Sequence, residues 1–287
     1  MSDSNIIAMT YHSKEQEAAV RLLEQQCTQA AGFLLSSDIE HLIKEDGDHA
    51  LLCYRGDQLV GLLSWFDSGS GYAQINAMVH PEHRRRGVFR SLMQRAGADI
   101  SRLDIQKLSF RIPARSRAGL SAASSLGAVF DRSEYSMILA HTEIKDQVQA
   151  DIRLLPASPE DFEFMVTCSS RAFGDPEDDA REYFLQTTEP ERITYIAWTG
   201  SRRIGLIRVN YVNEATAFIH NFCVLPDYQG KGYGGIVLRQ IVDFLLQEHY
   251  SSIRLGVVTE NERALNLYLN AGFQINTEYK YYSGSLS

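Results

Sequence analysis

The chain reads as an α/β protein built twice: two domains of one fold, each a mixed central sheet with helices on both faces. Three observations predict this. A strand, a glycine-rich turn and a helix follow one another between Phe218 and Leu246. The same order recurs in the first half at a fixed distance. Around both markers, short apolar runs alternate with segments of helical spacing.

The second half shows the elements in order. Asp151 to Pro156 is a first strand, and Pro159 to Phe173 and Pro176 to Gln186 are helices. Thr194 to Trp198 and Ile204 to Val212 form a hairpin around Gly200-Ser201. Phe218 to Val224 is an apolar strand that ends at the bend Pro226-Asp227. Ile236-Val237-Leu238, Ile241-Val242 and Phe244-Leu245-Leu246 carry a helical pattern. Ile253 to Val258 is a strand, Glu260 to Ala271 a helix, and Gly272 leads into a last strand.

The first half repeats the second. Asn76 to Gly87 aligns without a gap on Asn221 to Gly232, which places Gly87 and Gly232 145 positions apart. Gly127 and Gly272 keep that distance, whereas the hairpin glycines Gly61 and Gly205 stand 144 apart. One residue is therefore gained or lost between hairpin and loop. A period this long describes whole domains, and 287 residues is about two domains' worth of chain. The expected division is 1–143 and 150–287, joined by the polar stretch His141 to Ala150. With no long flexible linker, the halves are expected to pack together as a monomer.

Gln229-Gly230-Lys231-Gly232-Tyr233-Gly234 carries the chemistry. A glycine turn between a strand and a helix N-terminus gathers free backbone N–H groups and the positive helix end on one anion. Gly230, Gly232 and Gly235 also match the dinucleotide fingerprint, but Leu225 to Gln229 intervenes after the strand and Asn261 to Phe273 goes unexplained. The pattern Val224-x-Pro226-x-x-Gln229-x-x-Gly232-x-Gly234, followed by Asn261-x-x-Ala264-x-x-x-Tyr268-x-x-x-Gly272-Phe273, resembles the GNAT superfamily of N-acetyltransferases. With the repeat, the resemblance covers nearly the whole chain and makes it a tandem-domain member.

That resemblance implies acetyl-CoA as cofactor. It implies cofactor contacts at Phe222, Cys223, Val224, Gln229, Gly230, Lys231, Gly232, Tyr233, Gly234, Gly235, Asn261, Ala264 and Tyr268. Catalytic roles fall to the Val224 N–H as the donor polarising the acetyl carbonyl, Tyr268 as the acid for the thiolate, and His220 as the base. The family's usual glutamate base falls at Phe218, which cannot serve; arylalkylamine-type members have a histidine where His220 stands. Read as residues alone, Tyr268 also fits a core aromatic, Asn261 a helix N-cap, and His220 and Val224 buried strand residues. Strand alternation places Phe218, His220, Phe222 and Val224 on one face and Cys223 on the other. Tyr211 and Glu214 are weaker base candidates.

The first half keeps Val79, Arg84, Arg85, Arg86, Gly87, Val88, Phe89 and Arg90 in the matching cofactor places. There Phe89 replaces Gly234, making a tight turn less assured, while Ala123 stands for Tyr268, Ser116 for Asn261 and Ile75 for His220. Silent cofactor binding and support of the acceptor cleft are its expected roles. The expected reaction is direct acetyl transfer to a primary amine of a small cationic metabolite or antibiotic-like molecule, with self-resistance as one version. A protein N-terminus or lysine as acceptor, and a non-catalytic acyl-CoA-binding module, are the alternatives.

Composition sets the bounds. A hydrophobic content of 44% with 22% charged residues is that of a globular protein. No apolar run reaches the roughly 18 residues of a membrane helix, and the N-terminus lacks a signal-peptide pattern. Cys27, Cys53, Cys168 and Cys223 lack paired spacing and read as buried thiols, with no metal site expected. A cytoplasmic location follows as an expectation. The net charge of −8 disfavours nucleic acid and favours a cationic substrate.

Overall fold

The computed structural model describes residues 4–45, 49–67, 71–103, 105–140 and 151–285. The chain forms two compact units, Met1–Ser133 with Tyr279–Ser287, and Glu134–Glu278. The expected boundary at 141–150 lies outside the described residues. The units differ from two consecutive stretches because Glu134–Leu139 counts with the second and Tyr279–Gly284 with the first.

The second unit is built from β7 (Ile152–Pro156), α5 (Phe162–Phe173), α6 (Glu177–Gln186), β8 (Arg192–Thr199), β9 (Arg202–Asn213), β10 (Thr216–Val224), α7 (Tyr233–Gln247), β11 (Ser252–Val258) and α8 (Glu262–Asn270). Its sheet runs β7-β8-β9-β10-β11 and is closed by the end of β6 (Val129–Leu139), where Glu134 to Ile138 pair antiparallel with β11. Only β10 and β11 are parallel. Period-2 alternation puts Ile253, Leu255 and Val257 of β11 into the core and leaves Arg254, Gly256 and Val258 exposed. On one face α7 buries Ile236, Val237, Leu238, Ile241, Val242 and Leu245, each worth roughly 2 kcal/mol of burial. On the other, Met165, Val166 and Cys168 of α5 pack with Ala180 and Phe184 of α6.

The first unit repeats this with β1 (Ser4–Ala8), α1 (Lys14–Ala31), α2 (Ile39–Leu42), β2 (His49–Arg55), β3 (Gln58–Asp67), β4 (Tyr72–Val79), α3 (Val88–Ile100), β5 (Lys107–Pro113) and α4 (Arg117–Ser125). Its sheet runs β1-β2-β3-β4-β5 and is closed by the end of β12 (Phe273–Gly284), where Tyr279 to Gly284 pair antiparallel with β5. Arg111 of β5 lies 3.7 Å from the Tyr279 ring centroid and bonds Asp38 at 3.1 Å, which ties the C-terminal strand into this core. α1 and α2 cover one face, α3 and α4 the other.

The single-residue slip between the repeats has a physical site. In β10 the register with β9 runs to His220 opposite Arg208 and resumes at Cys223 opposite Leu206. Two residues, Asn221 and Phe222, therefore face Ile207 alone, and Asn221 takes φ 41°. This is a β-bulge, with asparagine supplying the left-handed conformation. In β4 the register with β3 is unbroken from Ala73 to Val79. Ser64 faces Asn76 there as Arg208 faces His220, so the counterpart of His220 is Asn76 and the expected match with Ile75 is corrected. The bulge also corrects the expected faces. Phe222 joins the α7 side, and Cys223 joins His220 on the α5–α6 side, 3.7 Å from Cys168. The four cysteines are buried free thiols.

No helix among the described residues is long and apolar enough to cross a membrane. Truncation after Glu278 removes the strand that pairs with β5. Amide protection across Lys107–Pro113 is expected to fall, measured by hydrogen exchange and mass spectrometry. Unchanged protection would mean that Tyr279–Gly284 does not complete the first unit's sheet.

Candidate active site

Two glycines shape the loop after β10. A short 3₁₀ turn, Pro226–Tyr228, leads into Gly230 at φ 76° and Gly232 at φ 82°, the N-cap of α7. Tyr228 and Gln229 donate their N–H groups back into the turn, and Gly235 and Ile236 donate to the Gly232 carbonyl. Between them, the N–H groups of Gly230 through Gly234 have no backbone acceptor among the described residues. A Cβ on Gly232 would meet nothing within 4 Å, so open space lies beside the loop. Unmatched donors at the positive end of a 15-residue helix form a cradle that fits a pyrophosphate.

The side chains of the loop brace it. Gln229 Nε2 donates to the Val224 carbonyl at 2.8 Å, and its Oε1 accepts from Arg263 at 2.9 Å. Lys231 folds back to the Asp227 carbonyl at 2.8 Å. In the first unit Gly87 opens α3 at φ 86°, and Arg85 takes φ 58° where the other loop has Gly230. Arg84 Nε donates to the Val79 carbonyl at 3.1 Å, doing what Gln229 does in the second unit. Phe89 does not disturb this turn, because it packs against the core while Gly87 supplies the left-handed residue.

Beside each loop the two parallel strands separate. β10 pairs with β11 only from Thr216 to Ile219, and β4 with β5 only from Tyr72 to Ile75. Leu225 donates its N–H to Ile204 of β9, so alternation turns the Val224 amide the other way, toward the gap. Its carbonyl is taken by Gln229, which leaves the N–H as the free donor. His80 and Val79 repeat this arrangement in the first unit. There the space between loop and separated strands is a cavity of about 960 Å³, bordered by Val79, Arg85, Gly87, Arg90, Ser116 and Ala123 among others.

Tyr268 lies on α8, 7% exposed, against Phe273. Burial, with a smaller contribution from Cys223, pushes its phenol up to about 12. Asn261 caps α8 by accepting from the Ala264 N–H at 3.0 Å, and Ser116 caps α4 in the same way. Its carbonyl oxygen is therefore engaged in a local bond. Cys223 is raised well above the ordinary thiol range by its contact with Cys168 and by burial. Tyr211 lies on the α7 side, hydrogen-bonded to Tyr195 at 2.7 Å, and Glu214 sits exposed in the β9–β10 turn.

On the opposite face, His220 Nδ1 lies 3.0 Å from the Tyr183 hydroxyl of α6. Burial, then the Arg192 and Arg208 guanidiniums, lowers its pKa to about 3. The imidazole is neutral at physiological pH and a weak base. Arg208 is 3% exposed, and burial lowers its own pKa.

A family description matches both copies: the acetyltransferase (GNAT) family covers residues 13–110 and 161–273. The chain belongs to the GNAT acetyltransferase family. It is an acyltransferase, and its cofactor is acetyl-CoA. The chain is 26% identical over 274 residues to a mycothiol acetyltransferase of Saccharomonospora viridis, covering 83% of this chain and 85% of that one. It is 32% identical over 90 residues to the N-alpha-acetyltransferase RimI of Mycobacterium tuberculosis, covering 30% and 55%. In fold it is similar to a GCN5-related N-acetyltransferase from Sphaerobacter thermophilus, at 17% identity and TM-score 0.78, with 98% and 96% covered. A tandem GNAT protein from the clavulanic acid biosynthesis pathway gives 16% identity and TM-score 0.72, with 99% of both chains covered.

Within this GNAT site, sequence reasoning missed Tyr183, Arg192 and Arg208. Arg208 alone carried a signal, as a cation inside the apolar run Leu206-Ile207-Arg208-Val209. His220 yields a pH test of stability. Its folded pKa lies below its unfolded value, so as pH falls below about 6.5 the unfolded chain binds more protons and stability drops. His220→Gln is expected to remove on the order of 1–2 kcal/mol of the loss between pH 6.5 and 5, measured by urea unfolding at both pH values. Equal pH dependence in both proteins would show that His220 is not held neutral.

Proposed function

We propose that the second unit transfers the acetyl group of acetyl-CoA to a primary amine. The observation that carries this is the free Val224 N–H facing the strand gap beside a loop of unmatched amides, with Tyr268 buried nearby on α8. Acetyl-CoA supplies an acetyl group activated as a thioester. The amides of Gly230 to Gly234 hold the pyrophosphate, and Val224 donates its N–H to the acetyl carbonyl as negative charge develops there. As the tetrahedral adduct collapses and its C–S bond breaks, Tyr268 donates its proton to the leaving thiolate and regains one from the amine nitrogen, so that the net transfer is one proton from nitrogen to sulfur. Burial raises the phenol, and it raises a thiolate in the same pocket in the same sense, which keeps the two basicities comparable.

His220 does not store the amine's proton. We read it as a neutral partner of Tyr183. The arginines beside it disfavour an ammonium, so the amine enters as the free base. This sets the expected cationic acceptor at a disadvantage in the second unit. The first unit has the loop, the gap and the cavity, with Ala123 where Tyr268 stands and Asn76 where His220 stands. We read it as holding a cofactor without turnover.

Tyr268→Phe is expected to lower kcat by roughly 10²-fold with little change in KM for acetyl-CoA, followed by thiol release. An unchanged kcat would leave Tyr268 as a packing residue. Gly232→Val strains a residue at φ 82° and crowds the cradle, and is expected to abolish turnover, while Gly87→Val leaves most of it. Both variants are first shown to be folded by circular dichroism. An active Gly232→Val beside a dead Gly87→Val would move catalysis to the first unit.

A further inference from the structure

Four buried polar atoms without a hydrogen-bond partner among the described residues belong to side chains on one face of the second unit's sheet. They are Arg192 Nε, Arg208 Nε, Asn210 Oδ1 and His220 Nε2. Register makes them neighbours: Arg192 faces Asn210 across β8 and β9, and Arg208 faces His220 across β9 and β10. The two guanidiniums are held from behind. Arg192 donates to the Thr187 carbonyl at 3.2 Å, and Arg208 donates to that carbonyl at 3.1 Å and to Thr187 Oγ1 at 2.8 Å. Those bonds use Nη atoms and leave both Nε–H groups unspent. Arg192 pairs with Glu189 at 3.3 Å, while Arg208 has no carboxylate among the described residues and lies over the Tyr183 and Phe184 rings.

The orphan atoms can all be donors. With the Tyr183 hydroxyl donating to His220 Nδ1, the Nε2 position carries the imidazole hydrogen. Turning the Asn210 amide presents its NH₂ in place of its oxygen. Four donors, two of them on cations, match the acceptor-only oxygens of a carboxylate. Buried donors left unmatched are costly, so a cluster of them calls for a partner.

We propose that this cluster is an anion subsite of the acceptor, so that the second unit acetylates an amine carrying a distant carboxylate. The inference rests on the transferase reading and narrows its substrate class. Distance sets the spacing. Val224 faces Gly205 and His220 faces Arg208, three residues along β9, or about 10 Å. An α-amino group sits too close to its own carboxylate to bridge that span; an ω-amino group on a chain of several methylenes reaches it.

The test compares 6-aminohexanoate, its primary amide and cadaverine as probes, by thiol release from acetyl-CoA and by calorimetric binding to the full chain with CoA present. 6-Aminohexanoate is expected to exceed both others by about tenfold or more in kcat/KM and in affinity. Arg192→Gln, at the more exposed guanidinium, is expected to erase that preference in the folded protein, and Arg192→Lys to keep part of it. Arg208→Gln serves as the second variant, provided that it folds. Cadaverine or the amide matching 6-aminohexanoate in both readouts would overturn the subsite and leave the transferase reading standing. Arg192-dependent binding of 6-aminohexanoate without thiol release from any amine would do the reverse. Absence of 6-aminohexanoate binding would also overturn the subsite.

Discussion

Parallel pairing between β10 and β11 stops after four residue pairs, and the second unit's site is arranged around the main-chain groups this leaves. A sheet edge inside a protein normally needs every amide matched. Three features stand beside the mismatch in the second unit. Gln229 takes the Val224 carbonyl, the bulge at Asn221 bends the strand, and Gly232 starts a helix whose first amides are unmatched. Without the gap, the Val224 N–H would be spent within the sheet.

The two copies separate scaffold from chemistry. The loop keeps its dihedrals, with Gly87 at φ 86° and Gly232 at φ 82°, and the brace on the strand end survives although arginine has replaced glutamine. Both partners donate to the same carbonyl, so what is retained is a hydrogen bond and not a residue type. The residues proposed for acid and acceptor roles differ throughout: Ala123 for Tyr268, Asn76 for His220, Ser64 for Arg208.

Most of the fold was legible because it rests on local pattern. The helix and hairpin spans of the second half agree with those expected to within a few residues, since apolar periodicity and the glycine at Gly200 act over short range. The strand exchange was not legible. The segment after Gly127 and the segment after Gly272 end equivalent repeats, and nothing in either pattern says which sheet edge it joins. The cofactor loop was legible through its glycines, but the roles of its side chains were not: Gln229 and Arg84 resemble anion ligands in sequence and act on a carbonyl in the structure. His220 was found by spacing, yet its weak basicity comes from Arg192 and Arg208 on other strands.

The bulge has a genetic side. The two strands that carry the sites differ in frame by one residue, which is one codon. A single three-nucleotide insertion or deletion separates them, and the bulge takes up the extra residue, so that pairing resumes in step, Val224 opposite Gly205 as Val79 stands opposite Gly61. Beyond the bulge the faces nevertheless agree: Cys223 lies with α5 and α6 as Met78 lies with α1 and α2. The added residue is thus confined to Asn221 and never reaches the strand end that lies beside the loop.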